Sequence, residues 1–312
     1  MGATSDDRTR TRSESNDGDA TGDWKGPVTT DDARAPIAWS APARERQAIM
    51  LIEWVLRVGA FLCFVGHGAF GIIGKEAWVR YFAVAGIGRE GAYALMPLVG
   101  AADILLGVLV LVRPRPALLA YMSLWAVWTA ALRPLSGEPF WEALERAGNY
   151  GVPIALLLLT WPSREWRAWL SPAERRPLDA VLARRLRFTL AVTTALLLIG
   201  HGALGVLGKP ELVSHYSLLG LPWSGVSLST AIGWTEIGLA AALLWRQPVW
   251  YCLVLFGWKL VTESLFLAAG APVWEVVERG GSYAAPLALA LLLQLAGSSR
   301  NPTSAPVLPT SS

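Results

Sequence analysis

The sequence predicts an all-α integral membrane protein: eight transmembrane helices arranged as two parallel four-helix repeats, with both termini cytoplasmic. Three observations predict it. Apolar residues make up 53% of the 312-residue chain and charged residues only 16%, against about a quarter in an ordinary soluble domain. Long apolar runs alternate with short polar joints, and each run is near the ~20 residues that cross the hydrocarbon core as a helix. Finally, the decapeptide at 66–75 recurs 134 positions later at 200–209, identical at seven of ten positions. Every glycine, the histidine (His67, His201) and the lysine (Lys75, Lys209) are kept.

In chain order, residues 1–45 are rich in Asp, Arg, Ser, Thr and Gly and nearly free of aliphatic side chains. Too little apolar surface is available to offset ordering entropy, so a disordered cytoplasmic tail is expected. The composition is also wrong for a cleavable signal peptide, which makes the first span an uncleaved anchor. The first repeat, 46–162, holds apolar runs at 47–73, 93–112, 116–135 and 141–161. An arginine-rich cytoplasmic linker follows at 163–184. The second repeat, 185–297, holds runs at 186–207, 227–244, 249–269 and 274–296, and 298–312 is a second tail expected to be disordered. A helix satisfies its own backbone hydrogen bonds in lipid, which an open strand cannot.

The halves agree beyond the glycine–histidine stretch. Gly100 and Asp103 answer to Gly233 and Glu236, a carboxylate for a carboxylate, and Trp125 and Thr129 answer to Trp258 and Thr262. Trp141, Glu142, Glu145, Arg146, Gly148, Tyr150 and Pro153 recur in order as Trp274, Glu275, Glu278, Arg279, Gly281, Tyr283 and Pro286. Such ordered agreement reads as tandem duplication of a four-helix unit. With an even number of spans per unit, both copies enter the membrane from the same side, so matching residues are expected at matching depth. The loops on the side of the termini carry the excess of Lys and Arg, above all the cluster at 164–187, and this places both termini in the cytoplasm. The histidine and Trp-Glu motifs then fall toward the outer face.

Three constellations carry chemistry. On a helix, His67, Gly71 and Lys75 share a face, and glycines at 68, 71 and 74 leave the adjoining surface bare for a close helix crossing. The histidine is either a hydrogen-bonded part of that crossing or an ionisable group facing a polar cavity. His67 and His201 at equal depth also raise bis-histidine haem ligation, whereas no spacing supports a non-haem metal site. Asp103 and Glu236 sit inside the second and sixth spans, where an unpaired carboxylate is costly. Because successive spans are normally adjacent, pairing with His67 and His201 is expected, as a proton relay or as a buried structural hydrogen bond. Third, Glu142, Glu145 and Arg146, with Glu275, Glu278 and Arg279, read as outer caps on the fourth and eighth helices. The fourth run is too short to span without its glutamates, so at least one glutamate per repeat is expected below the interface. Asp103 and the Glu142–Arg146 cap are expected to converge on 66–75, and Glu236 and the Glu275–Arg279 cap on the copy.

The halves also differ. Arg133 stands where the second half has Phe266, while Lys259 and Glu263 match Ala126 and Ala130. An intramembrane Lys–Glu pair four residues apart should face the bundle interior, so the second half is expected to hold a site with extra charge. Cys63 and Cys252 have no counterparts and read as buried free thiols. No basic patch with interleaved aromatics suggests nucleic acid.

The four-helix unit, with Gly66-His67-Gly68 near the end of its first span and Lys75 soon after, resembles the DoxX-like membrane proteins, and the resemblance covers each repeat separately. It implies a multi-pass protein of the bacterial cytoplasmic membrane, with some relatives tied to quinone-linked or thiol-linked redox complexes and hence to a membrane redox partner subunit. Duplication to eight spans and the lack of paired cysteines depart from the usual unit. No Ser–His–Asp order, P-loop or dinucleotide fingerprint is present, and no catalytic residue is assigned. No cofactor is required by the residues; quinone and haem are the candidates. The residues are compatible with an accessory or quinone-like lipophilic-ligand subunit in the bilayer, a proton-coupled small-solute transporter, and a haem-binding redox protein.

Overall fold

The computed structural model describes residues 41–220 and 224–298. Among them there is no strand, and seven helical segments are long and apolar enough to cross a membrane. Most of the expected tails, 1–40 and 299–312, lie outside the described residues.

The helices are α1 (Ala41–Ile73), α2 (Val79–Val84), α3 (Arg89–Val112), α4 (Pro116–Leu135), α5 (Trp141–Glu145), α6 (Ala147–Leu159), α7 (Trp166–Leu170), α8 (Ala180–Val206), α9 (Pro210–Ser217), α10 (Gly225–Trp245), α11 (Val249–Ala268), α12 (Trp274–Val277) and α13 (Gly280–Ser298). Their ends follow local chemistry. Pro116 opens α4 where a missing N–H costs nothing. Asp179 caps α8 by accepting from the Leu182 amide at 2.7 Å, so this helix starts inside the expected linker. Helix α1 likewise begins at Ala41, earlier than the expected tail boundary. Gly74 (φ +77°) and Gly208 (φ +68°) stop α1 and α8 in left-handed turns. There Lys75 N–H returns to Phe70 O and Lys209 N–H to Leu204 O, the 6→1 bond of a Schellman ending.

Two features differ from the sequence reading. The turn at Glu76–Trp78 and α2, and their counterpart α9, form short amphipathic elements where none was expected. The expected fourth span is also not one helix: it breaks at Arg146 (φ −85°, ψ 10°) into α5 and the 13-residue α6. At 1.5 Å per residue α6 covers about 20 Å, short of the ~30 Å hydrocarbon core. The matching segment also breaks, between α12 and α13, but there the 19-residue α13 is itself near the ~20 residues a span needs, so the second half keeps its last span where the first has only the shorter α6. The reason is chemical: the cap carboxylates and arginines are pulled into ion pairs, described below, that a straight helix would not reach.

Packing sorts the helices into an inner and an outer set. The apolar window of α8 is 72% buried and that of the α12–α13 segment 56%, against 28% for α3 and α4. Leu98, Leu124 and Trp245 on the outer helices are exposed, as suits lipid contact. Glycines let backbones touch at the crossings. A Cβ on Gly68 would lie 2.5 Å from Gly100 O, and one on Gly202 2.6 Å from Gly233 O, which brings α1 onto α3 and α8 onto α10. A Cβ on Gly66 would lie 2.3 Å from the Glu278 amide nitrogen, and one on Gly200 2.2 Å from that of Glu145. At the centre, Gly148 on α6 meets Gly281 on α13, where a Cβ would fall 2.6 Å from Gly281 C.

A methyl group at Gly66 should therefore force the Glu278 backbone away and destabilise the protein by roughly 1–3 kcal/mol, the cost of overpacking. Gly257, with nothing within 4 Å of a built Cβ, should accept alanine at no cost. Thermal unfolding of Gly66→Ala and Gly257→Ala in one detergent checks the contrast; equal midpoints would contradict the crossing.

Candidate functional site

Both histidines find the carboxylate expected of them. His67 Nδ1–H on α1 donates to Asp103 Oδ2 on α3 at 2.7 Å, and Trp125 Nε1–H on α4 donates to Asp103 Oδ1 at 2.9 Å. In the other half His201 Nδ1–H donates to Glu236 Oε2 at 2.5 Å and Trp258 Nε1–H to Glu236 Oε1 at 2.9 Å. Each acid is almost wholly buried and uses both oxygens. Fixing Nδ1 as the donor leaves Nε2 of each imidazole as a lone-pair acceptor.

What surrounds the two Nε2 atoms differs. His67 borders a cavity of about 220 Å³ whose walls include Trp78, Tyr81, Phe82, Ile87, Trp125, Trp128, Thr129, Ala130, Arg146 and Asn149. Its ring lies against that of Trp78, with centroids 4.4 Å apart. A smaller pocket beside it reaches Cys63, Asp103 and Ala126. His201 is 1% exposed, and its Nε2 has no hydrogen-bond partner among the described residues. The space on its side holds Lys259 and Glu263, both buried. Lys259 Nζ sits 2.7 Å from Glu263 Oε1 and 3.8 Å from Glu236 Oε1, and Arg279 Nε approaches Glu263 Oε2 to 2.7 Å, off the line of a hydrogen bond. The extra charge expected in the second half is therefore present, but it fills space rather than lining an opening.

The caps go to the wrong half, relative to expectation. Lys75 Nζ pairs with Glu275 Oε1 at 2.7 Å, and Lys209 Nζ with Glu142 Oε1 at 2.7 Å. Arg146 Nη1 donates to Glu278 Oε1 at 2.8 Å, and Arg279 Nη2 lies 3.8 Å from Glu145 Oε1. The glutamates of each cap thus meet the glycine–histidine stretch of the opposite half, while Arg146 still borders the His67 cavity and Arg279 still meets Glu263 of its own half. The reason is the glycine contact: Gly66 admits the Glu278 backbone and Gly200 that of Glu145, which sets the caps down across the central crossing. Glu142, Glu145 and Glu278 are all buried, as the span-length argument expects of at least one per repeat. Above them lies a polar chamber of about 510 Å³ reached by Lys75, Arg80, Arg133, Glu138, Glu142, Arg146, Lys209, Glu211, Glu275 and Arg279.

Several participants were not singled out from sequence. Trp78, Tyr81 and His215 sit on the short elements that follow α1 and α8, whose amphipathic pattern is too brief to register as a helix. Burial raises the Tyr81 phenol, which donates to Glu138 Oε1 at 2.7 Å, and Arg133 lies over its ring. Burial, with Arg279 adding to it, lowers the His215 imidazole, whose ring stands 4.3 Å from that of Phe266. Asn149 accepts from Cys63 Sγ at 3.3 Å. Glu53 is buried and pairs with Arg57 and with Arg175 of the arginine-rich stretch. Its counterpart is Arg187, so self-comparison could not reveal it; a lone acid in an apolar run was the available signal.

No group of three or more His, Cys, Asp and Glu stands in metal-holding proximity among the described residues. His201 does not border the His67 cavity, so a haem ligated by both histidines would have to displace packed side chains. No protein-family model, curated protein or solved structure matches the chain.

The crossed pairing is open to charge exchange. Lys75→Glu should destabilise the protein by about 1 kcal/mol, since the Lys75–Glu275 pair is partly buried and the change sets two carboxylates side by side. Adding Glu275→Lys should restore most of the loss in thermal unfolding, while adding Glu142→Lys should not. Rescue by Glu142→Lys instead would place the cap on its own half.

Proposed function

We propose that this polytopic membrane protein binds a small lipophilic, quinone-like ligand in the first-half cavity and serves as an accessory subunit of a membrane redox system. The observation that carries the reading is the exposure of one histidine and not the other: His67 borders a largely aromatic cavity while its Nδ1 is anchored on Asp103. An apolar pocket with a few convergent polar groups is the usual form of a small-molecule site. His67 Nε2 is the acceptor for a ligand hydroxyl, Trp78 and Trp125 supply flat apolar walls, and Thr129 and Asn149 supply further hydrogen bonds. Asp103, fixed by two donors, holds the imidazole tautomer and stabilises positive charge if His67 takes a proton.

The same reading includes a duplicated, DoxX-like origin and a bacterial cytoplasmic-membrane location. The seven-of-ten match of the two decapeptides and the paired His–acid–Trp contacts in both halves support the duplication. The arginine-rich joints support cytoplasmic termini. A second reading, a proton-coupled small-solute transporter, is favoured by the polar chamber between the caps of the two halves.

In lipid nanodiscs, titration with a short-tailed benzoquinone should quench tryptophan fluorescence saturably. His67→Ala should weaken binding by about tenfold, the loss of one hydrogen bond at ~1.4 kcal/mol, and His201→Ala should leave the affinity unchanged. Absence of saturable binding, together with pH-driven solute flux in proteoliposomes, would replace this reading with the transporter.

A further inference from the structure

The second half shows what its own chain places in the equivalent space. Positions 126 and 130 of the first half match 259 and 263 of the second, as Trp125 and Thr129 match Trp258 and Thr262 and as Arg146 matches Arg279. In the second half the Glu263 carboxylate lies 2.7 Å from Arg279 Nε. In the first half that carboxylate is missing, because the residue is Ala130. Both Ala130 and Arg146 border the cavity, and Arg146 Nε is buried without a hydrogen-bond partner among the described residues. A buried guanidinium N–H left unpaired is costly, and a bound acceptor oxygen would relieve it.

We propose that the ligand of the first-half cavity is a lipophilic anion, such as a hydrophobic carboxylic acid, whose charged oxygen stands toward Arg146 as Glu263 stands toward Arg279. The second half is the same site closed by its own side chain. The cavity walls suit the rest of such a molecule: Trp78, Phe82, Ile87, Trp128 and Leu132 offer an apolar bed, and Arg133, itself paired with Glu138 and Glu142, also borders it. Arg133 has no charged counterpart in the closed half, where Phe266 takes its place. An anion is favoured over a cation because the acid of this half, Asp103, already accepts from both His67 and Trp125. The proposal rests on the lipophilic-site reading and departs from it in the polar end of the ligand, an anion at Arg146 in place of a neutral ring at His67.

The test uses the full-length protein in nanodiscs and a diazirine-bearing palmitic acid beside its methyl ester, with labelled peptides mapped by mass spectrometry. The acid should label α2 and α4 saturably, be displaced by oleate but not by methyl oleate, and exceed the ester by about tenfold, as one charge-assisted bond allows. Ala130→Glu, which supplies the carboxylate internally, should abolish labelling while its unfolding midpoint stays at or above that of the parent. Equal labelling by acid and ester, or unchanged labelling of folded Ala130→Glu, overturns the anion and leaves a neutral-ligand site standing. Absence of saturable labelling by both probes overturns the anion site and, with a negative benzoquinone titration, the lipophilic-site reading as well.

Discussion

The structure depends on backbone contact at Gly66 and Gly200. With no side chain at these points, the Glu278 and Glu145 backbones settle directly onto α1 and α8. That contact brings the charged side chains of the two caps together, with Glu142, Glu145, Glu278 and Arg279 buried among them. Unpaired charge there is costly, so each cap must find partners. The nearest are Lys75 and Lys209, just past the left-handed glycines that end α1 and α8. Close packing thus comes first, and the crossed ion pairs follow from it. The break between α5 and α6, and between α12 and α13, is the backbone's accommodation to those pairs.

The same frame holds two unlike interiors. In both halves a histidine leans on a carboxylate that also receives a tryptophan N–H, so the local geometry repeats. Two substitutions separate the outcomes. Ala130 on the cavity and Ala126 on the smaller pocket beside it leave volume near His67, while Lys259 and Glu263 take up the corresponding volume beside His201. A lysine and a glutamate can lie so deep only because each neutralises the other and both reach further charges, Glu236 and Arg279. The second half is thereby filled, and the first keeps an opening.

Much of this was legible in the sequence. Helix α4 has the bounds its apolar run indicates, because proline opens it and its interior is mostly apolar. The His67–Asp103 and His201–Glu236 bonds follow from the adjacency of successive spans and the cost of a lone carboxylate in lipid. Other parts were not legible. The turn at Glu76–Trp78, α2 and α9 are too short for periodicity to show, although they supply Trp78, Tyr81 and His215. Glu53 has an arginine as its counterpart, so comparison of the halves passed over it. The exchange of caps was missed because a sequence match says which residues are equivalent, not which copy each one touches.

By itself, then, the sequence determined the class of the protein, the approximate spans and the histidine–carboxylate partnerships. Hydropathy, the demand that buried charges be paired, and self-similarity are properties of the chain that need no coordinates. The tertiary structure alone decided that the caps cross between halves and that the cavity belongs to the half poorer in charge. Both depend on how closely two backbones approach and on which side chains fill the remaining volume. Those are distances between residues far apart in the chain, and packing sets them.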